Sequence, residues 1–464
     1  MLTMWSKARD LAQLAPPERN RWVDFLRAVS IMAVVIGHWL MAGLYVDEAG
    51  GLQRGDLLTV SSWVHWLTWA FQVMPVFFLV GGYSNGVSWD ATVRKAQGQG
   101  RESRTGVYRD WLAARVQRLI TPTFPVLLLW AGFAVLMTQV GLPREQIRMA
   151  TEAALIPVWF LAVYLLVTAF TPLTHAAWQR FGWLSFAVFI PLAMLTDWLT
   201  FTMNVPYVNF TNFLWVFSAI HQLGFAWRAG KFDNRWFAGL WFAAGLAWLV
   251  SITVYGFYPV SMVSAPGGFS NSLPPTLALF ALGMVQVGLV LALEPLGRRM
   301  LDNLTIWTAT VLMNGMIMTV YLWHLTAFVL VMTVCWLLLG GAGLDSVPGT
   351  GEWWSSRPLW IAVYVLALLP FIAIFARHER SFGPIRGGRT VPRYRAVFGV
   401  LAICIGLGAT AGVTIASPDS LSGIRWWVIA LPLAGAAMLG FGPVYRPSAA
   451  TRDHASRIGA QPET

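Results

Sequence analysis

Two residues near the start of the chain, Arg27 and His38, are of types that rarely occur inside an apolar helix. They are eleven residues apart, so an α-helix at about 100° per residue would bring them within roughly 20° of one face, about 16 Å apart along its axis. Asp24 lies one turn before Arg27 and could pair with its guanidinium. The spacing therefore predicts a polar stripe along one face of the first apolar helix.

His38 is the candidate catalytic residue of this stripe. A titratable group within a membrane-spanning helix normally faces the bundle interior or a water-filled cavity, and an imidazole can take a proton from a hydroxyl near neutral pH. His38 is therefore a candidate for proton transfer from a hydroxyl, and Arg27 and Asp24 are candidates for the same functional site. The alternative is that Arg27 extends towards lipid headgroups and Asp24 is an ordinary acid at a helix start.

A second candidate site is the pair Arg115 and Arg118, which comes just before the third apolar run. Their i, i+3 spacing would project both guanidiniums from one side of a helix. Two such groups could bind a phosphate-rich ligand through bidentate contacts. The alternative is that they are two of seven basic residues in a cytoplasmic loop, where an excess of positive charge is common.

His324, with Tyr321 three residues before it, lies deep in another apolar run. The pair could line the same cavity as His38. Equally, His324 could be a core histidine whose ring is satisfied by a backbone carbonyl or a tyrosine hydroxyl. His221 and Glu294 could also line a cavity, but no spacing argument selects them.

The elements that must position these residues are membrane-spanning helices. A chain of 464 residues that is 57% hydrophobic and 11% charged, with a mean hydropathy of +0.59, has too much apolar surface for a soluble core. Several apolar runs reach the roughly 20 residues that a bilayer requires, and only helices satisfy their own backbone within such runs. The sequence therefore predicts an all-α, polytopic transmembrane bundle of about 10–12 spans.

Twelve apolar runs are candidate spans: 23–46, 63–86, 122–140, 154–172, 184–203, 210–227, 236–257, 275–293, 306–340, 358–376, 396–416 and 424–443. The ninth is overlong and contains Asn314-Gly315, which predicts a broken or steeply tilted helix. Cys335 and Cys404 lie inside apolar runs without metal-site or disulfide spacing. We interpret both as small hydrophobic residues and expect no metal.

The distribution of basic residues predicts the orientation. With the N-terminus in the cytoplasm, the inner loops carry 26 of the 32 Lys and Arg residues and the outer loops carry five. Both termini are therefore expected in the cytoplasm. Topology and contact with anionic membrane lipids explain the formal net charge of +11, so no nucleic-acid partner is needed.

Taken together, these motifs resemble acyltransferase family 3, a family of integral membrane O-acyltransferases whose first helix carries Arg-x10-His after an Asp-x-x-Arg step. Arg27 and His38 fit that pattern. Three further stretches agree in the same order, namely Met74-Pro-Val-Phe-Phe-Leu-Val-Gly-Gly82, Arg115-Val-Gln-Arg118 and Tyr321-Leu-Trp-His324. One departure is Gly81, which stands where the family more commonly has the serine of Phe-Phe-x-x-Ser-Gly.

The resemblance covers about residues 20–380 and implies four regions. These are a cytoplasmic N-terminal segment at 1–22, an acyltransferase-3-like transmembrane core at 23–380, additional transmembrane helices at 381–443 and a cytoplasmic polar tail at 444–464. Spans eleven and twelve lie beyond the family's usual ten.

The resemblance also implies a reaction. An acyl group such as acetyl would pass from cytoplasmic acyl-coenzyme A, whose phosphates Arg115 and Arg118 would bind, to a hydroxyl of an extracytoplasmic or membrane-bound glycan or glycolipid. His38 would act as the general base or accept the acyl group covalently first. Arg27, held by Asp24, would orient the donor or a developing negative charge. The expected location is a bacterial plasma membrane.

Two other functions are compatible with this sequence. Twelve spans with both termini inside also describe a secondary transporter, although no matching pair of broken helices marks two equal halves. A noncatalytic lipid-binding or assembly subunit is the third possibility. Such a subunit would release no free coenzyme A with any acceptor.

Overall fold

The computed structural model describes residues 2–47, 51–100, 104–263, 269–379, 392–417 and 420–444, and it confirms the all-α prediction. Within these residues eight helices are long and apolar enough to cross a membrane, or up to ten if each of two bent pairs is one span. The count is lower than twelve because several of the predicted runs form shorter or bent helices. Leu304–Asn314 and Trp426–Met438 are two such short apolar helices.

The elements of the first half of the chain are α1 (Leu2–Gln13), α2 (Arg21–Met41), β1 (Ala42–Val46), β2 (Leu52–Asp56), α3 (Leu57–Val60), α4 (Val64–Phe71), α5 (Met74–Gly98), α6 (Arg104–Ile120), α7 (Thr123–Val140), α8 (Arg144–Leu155), α9 (Val158–Ala169), α10 (Thr171–Phe181), α11 (Trp183–Ala187) and α12 (Phe189–Phe201). After a 3₁₀ turn at Val208–Thr211 come α13 (Asn212–Arg228), α14 (Arg235–Thr253), α15 (Leu277–Ala292), α16 (Glu294–Met300), α17 (Leu304–Asn314), α18 (Ile317–Leu337), α19 (Gly351–Glu379), α20 (Arg393–Gly412) and α21 (Trp426–Met438). They form two compact units, the first of residues 1–88, 170–320 and 330–369 and the second of residues 89–169, 321–329 and 370–464.

Helix α2 carries the predicted polar stripe and lies in the first unit. It begins at Arg21 because the Asn20 side chain accepts hydrogen bonds from the backbone N–H groups of the first turn. It ends at Met41, five residues before the predicted end of the span, because the chain continues as an antiparallel hairpin of β1 and β2. Hydropathy alone could not separate this strand from the helix, since the segment 42–46 is itself apolar.

The second apolar run is broken between α4 and α5. The break frees backbone carbonyls, and the Gln286 side-chain amide on α15 donates to two of them, those of Trp69 at 2.9 Å and Gln72 at 3.0 Å. Interior backbone groups in a membrane helix need such partners because lipid supplies none. Gln286 therefore stabilises the break that sets where α5 begins.

Helix α5 packs very closely on α13. A Cβ atom on Gly82 would lie 1.8 Å from the carbonyl oxygen of His221, and one on Gly224 would lie 2.3 Å from the carbonyl oxygen of Leu79. Small residues at such crossings let two membrane helices bring their backbones together. The crossing fixes the position of α5 beside the rest of the first unit.

The ninth apolar run is broken as predicted, with α17 ending at Asn314 and α18 beginning at Ile317. The N-terminal segment forms α1, and the Trp307 indole on α17 donates to the carbonyl oxygen of Ala12 at 3.0 Å. In the second unit, Gly399 and Gly435 form the close contact between α20 and α21. The predicted polar tail, apart from Val444, lies outside the described residues.

Candidate active site

The polar stripe of α2 has the predicted geometry. Arg27 and His38 lie on one uninterrupted helix, so their eleven-residue spacing keeps them on nearly the same face. The Arg27 guanidinium donates from Nη1 to Asp24 Oδ1 at 2.9 Å, which confirms the pairing expected at i, i+3. This ion pair sets the direction in which the guanidinium points.

Asp24 is held on three sides. Arg19, just before α2, donates from Nε to the other carboxylate oxygen at 2.6 Å. Asn314, the last residue of α17, donates its side-chain amide to the Asp24 backbone carbonyl at 2.9 Å. The carboxylate is buried and shared by two arginines, so it anchors Arg27 more firmly than a single exposed ion pair could.

Ser84 on α5 is the second partner of Arg27, whose Nη2 donates to the Ser84 hydroxyl at 2.8 Å. Ser84 lies one helical turn after Gly81, which stands where the resembled family more commonly has a serine. A hydroxyl is therefore present beside this helix face, displaced by three residues. Asp24 and Ser84 together hold two nitrogens of one planar guanidinium, which fixes its plane.

His38 lies in the last turn of α2 and not in the middle of the span, because the helix is shorter than predicted. Its neighbours pack in two directions. Gly37 lies against Phe71, whose ring would be 3.5 Å from an added Cβ, and the buried Trp39 ring lies 5.4 Å from the Tyr364 ring between centroids. His38 itself is half-buried on this packed helix end.

Arg115 and Arg118 belong to the second unit and lie on α6, which confirms that their segment is helical. The Arg118 side chain is exposed. Arg115 is half-buried, and its guanidinium carbon lies 5.9 Å from the centroid of the Trp111 ring one turn earlier. One guanidinium is thus held beside an aromatic face and the other is open to solvent.

Tyr321 and His324 also belong to the second unit, and both are buried on α18. The Tyr321 hydroxyl donates to the carbonyl oxygen of Pro157 at 2.6 Å, and His324 Nδ1 lies 2.7 Å from the carbonyl oxygen of Tyr321. Because a carbonyl only accepts, Nδ1 carries a proton. These backbone contacts favour the core interpretation of the pair over the cavity-lining one.

The two residues that no spacing argument selected both have structural partners. Glu294 accepts from Arg298 at 2.7 Å and from the Trp227 indole at 2.8 Å. Nε2 of the His221 ring lies 3.1 Å from the side-chain amide nitrogen of Asn85. Both residues tie helices of the first unit together.

Sequence reasoning missed Arg19, Ser84 and Asn314. Nothing in their spacing marks Arg19 or Ser84, because each meets the stripe only through the packing of another segment on α2. Asn314 was noticed as a helix breaker, and the same break directs its amide at Asp24. The side-chain carbonyl oxygen of Asn314 is buried without a hydrogen-bond partner in the described part of the chain.

Comparison with known proteins agrees with these features. The family model Acyl_transf_3, described as an acyltransferase domain, matches residues 20–377. A membrane bundle with this match is a multi-pass membrane acyltransferase. The chain belongs to acyltransferase family 3. Neither curated proteins nor solved structures yield a significant match.

Proposed function

We propose that the protein transfers an acyl group from cytoplasmic acyl-coenzyme A to a hydroxyl of an extracytoplasmic or membrane-bound glycan or glycolipid. The observation that carries this proposal is the arrangement of α2. A guanidinium fixed by Asp24 and Ser84 and a half-buried imidazole share one helix face within a member of an acyltransferase family. Acetyl is the simplest acyl group that this site would transfer.

The separation of the two groups suits a long donor. About 16 Å of helix axis lies between Arg27 and His38. Acyl-coenzyme A carries its phosphates and its thioester at opposite ends of an extended pantetheine arm, so Arg27 would orient a donor whose thioester reacts beside His38. Arg115 and Arg118 would bind the donor phosphates on the cytoplasmic side.

His38 would act on the acceptor. Its imidazole would remove the proton of the acceptor hydroxyl while that oxygen attacks the thioester carbonyl carbon. The carbon–sulfur bond would then break, and the coenzyme A thiolate would leave and take up the proton from His38. An acyl group carried first on His38 would give the same products, with the acceptor attacking in a second step.

The proposed orientation places both termini in the cytoplasm of a bacterial cell, in the plasma membrane. The excess of Lys and Arg in the loops on that side supports it. In this orientation the start of α2 faces the cytoplasmic donor and its last turn, with His38, faces the acceptor. Because His38 lies near the outer end of the helix, a large glycan would have to enter the protein only a short way to reach it.

The test is transfer of radiolabel by the purified full-length chain. Labelled acetyl-coenzyme A would be incubated with protein in lipid vesicles and an extract of cell-envelope glycolipids, and free coenzyme A and labelled lipid would be quantified together. The proposal predicts that both appear in equal amounts. Movement of an unmodified solute across the vesicle membrane, without any release of coenzyme A, would instead favour a transporter.

A further inference from the structure

Arg357, on α19 in the first unit, is a buried cation outside the polar stripe of α2. Its guanidinium carbon lies 4.2 Å from the centroid of the Trp353 ring and 5.8 Å from that of Trp360. Nε donates to the Trp353 carbonyl oxygen at 3.1 Å, and Nη2 donates to the Ser356 hydroxyl at 3.2 Å. The Trp360 ring stacks in turn on the Tyr364 ring, with the ring centroids 5.8 Å apart.

All of these partners are neutral. Among the side chains that the structure describes, no carboxylate forms an ion pair with Arg357, whose exposed fraction is only 8%. Aromatic faces and neutral oxygens stabilise a guanidinium but leave its charge in place. A buried charge is costly unless it is paired, so Arg357 is set up to meet an anion that the described side chains do not supply.

Arg357 lies at the same end of α2 as His38. The Tyr364 ring, which stacks on the Trp360 ring beside Arg357, also packs on Trp39, the residue after His38. The chain just before α19 also meets the hairpin that follows α2, since Pro348 contacts both Gly43 and Gly55. Arg27 lies in the opposite half of α2, so one cation lies near each end of this helix.

We propose that Arg357 binds an oxyanion, a phosphate or carboxylate carried by the acceptor, at the His38 end of α2. The planar fork of a guanidinium matches such groups by bidentate hydrogen bonding. Arg357 is one of only five basic residues expected on the extracytoplasmic side, so the general excess of charge on the inner side does not account for it. The inference rests on the proposed function only for the identity of the anion's carrier.

The test measures binding by the purified full-length chain in a zwitterionic detergent, without any reaction. The probes are dihexanoyl phosphatidic acid, its neutral counterpart dihexanoylglycerol and inorganic phosphate, and the readout is the ligand-dependent rise in melting temperature. Arg357→Gln should weaken phosphatidic acid binding on the order of 10- to 100-fold, as expected for loss of a charge-assisted contact. Inorganic phosphate acting as well as the lipid would identify a free-ion site and overturn the assignment to an acceptor group.

The matched control is Arg235→Gln, since Arg235 is exposed and its guanidinium carbon lies 5.5 Å from the Trp236 ring centroid. It should bind phosphatidic acid like the unmodified chain. Arg357→Lys keeps the charge and removes the fork, so it provides a folded variant if Arg357→Gln does not fold, and its binding should also be weaker. Unchanged binding in a folded Arg357 variant would mean that Trp353 and Trp360 hold a purely structural cation.

Binding and catalysis can fail separately. If phosphatidic acid binding depends on Arg357 while no labelled acyl group is transferred, the oxyanion site stands and the proposed function falls. If acyl transfer proceeds to anionic and neutral glycolipid fractions equally, and Arg357→Gln changes neither rate, the oxyanion site falls and the proposed function stands.

Discussion

The two ends of α2 are built from different interactions. Around Arg27, charges and hydrogen bonds set the geometry, with Asp24 and Ser84 as partners and Arg19 sharing the carboxylate. Around His38, the residues on both sides pack on aromatic rings, Gly37 on Phe71 and Trp39 on Tyr364. The contacts at the first end fix the position of a charged side chain, and those at the second end fix the position of the helix backbone.

This difference follows from the two side chains. Arginine is long and loses much rotamer freedom when it is fixed, so its direction must be secured by contacts at the guanidinium itself. Histidine is short, so a fixed helix backbone already restricts where its ring can lie. The Arg27 end should therefore be sensitive to loss of single polar partners, whereas the His38 end should depend on the imidazole itself.

The most disruptive change at the Arg27 end is expected to be Asp24→Ala. It leaves Arg19 and Arg27 close together without their shared carboxylate, which should cost about 1–3 kcal/mol, less than for a fully buried pair because Arg19 is 42% exposed. The melting temperature in detergent should fall and acyl transfer should be lost. An unchanged melting temperature would show that the carboxylate does not organise this end.

Arg27→Lys sharpens the comparison because it keeps the charge and removes the planar fork. A single ammonium cannot reach Asp24 and Ser84 with the same geometry, so kcat/KM should fall about 10- to 100-fold with little change in melting temperature. Steady-state release of coenzyme A measures this. A silent substitution would return Arg27 to the role of an interfacial anchor.

Ser84→Ala removes one neutral partner and should act more gently. We expect about a 3- to 10-fold loss in kcat/KM, since Arg27 keeps Asp24 and water can replace part of the lost contact. Ser84→Thr retains a hydroxyl and should stay close to the unmodified rate. Equal rates for the alanine and threonine variants at a reduced level would point to packing of α5 and not to the hydrogen bond.

Arg115 and Arg118 belong to neither end of α2, so their loss should leave the comparison of the two ends unchanged. Alanine at both positions should raise the donor KM about tenfold through loss of phosphate contacts and change kcat little. The control is alanine at both Arg94 and Lys95, which are exposed near the end of α5. This double substitution removes the same amount of positive charge. If both double variants raise KM equally, only the general positive charge of this region matters.

Much of the fold could be predicted because apolar length and backbone hydrogen bonding leave few choices in a membrane. The Asn314-Gly315 break and the shared face of Arg27 and His38 both followed from local pattern and are present. The predicted end of the first span was wrong, because hydropathy cannot distinguish an apolar strand at 42–46 from a helix.

The partners of the site could not be predicted in the same way. Ser84 reaches Arg27 only because α5 packs where the glycine crossing with α13 holds it, and Asn314 reaches Asp24 only because α17 ends beside α2. Contacts of this kind depend on tertiary packing between residues far apart in sequence. A single sequence gives the residue types but does not show which distant residues come into contact.

The most direct measurement compares His38→Asn and His38→Gln with the unmodified chain in single-turnover acyl transfer, alongside their melting temperatures. Both substitutions keep some hydrogen bonding but cannot take up a proton at working pH. Normal melting with a loss of transfer on the order of 100-fold or more is the predicted result for a general base. Near-normal transfer by both variants would contradict His38 as the catalytic residue and would leave the eleven-residue spacing from Arg27 without a chemical role.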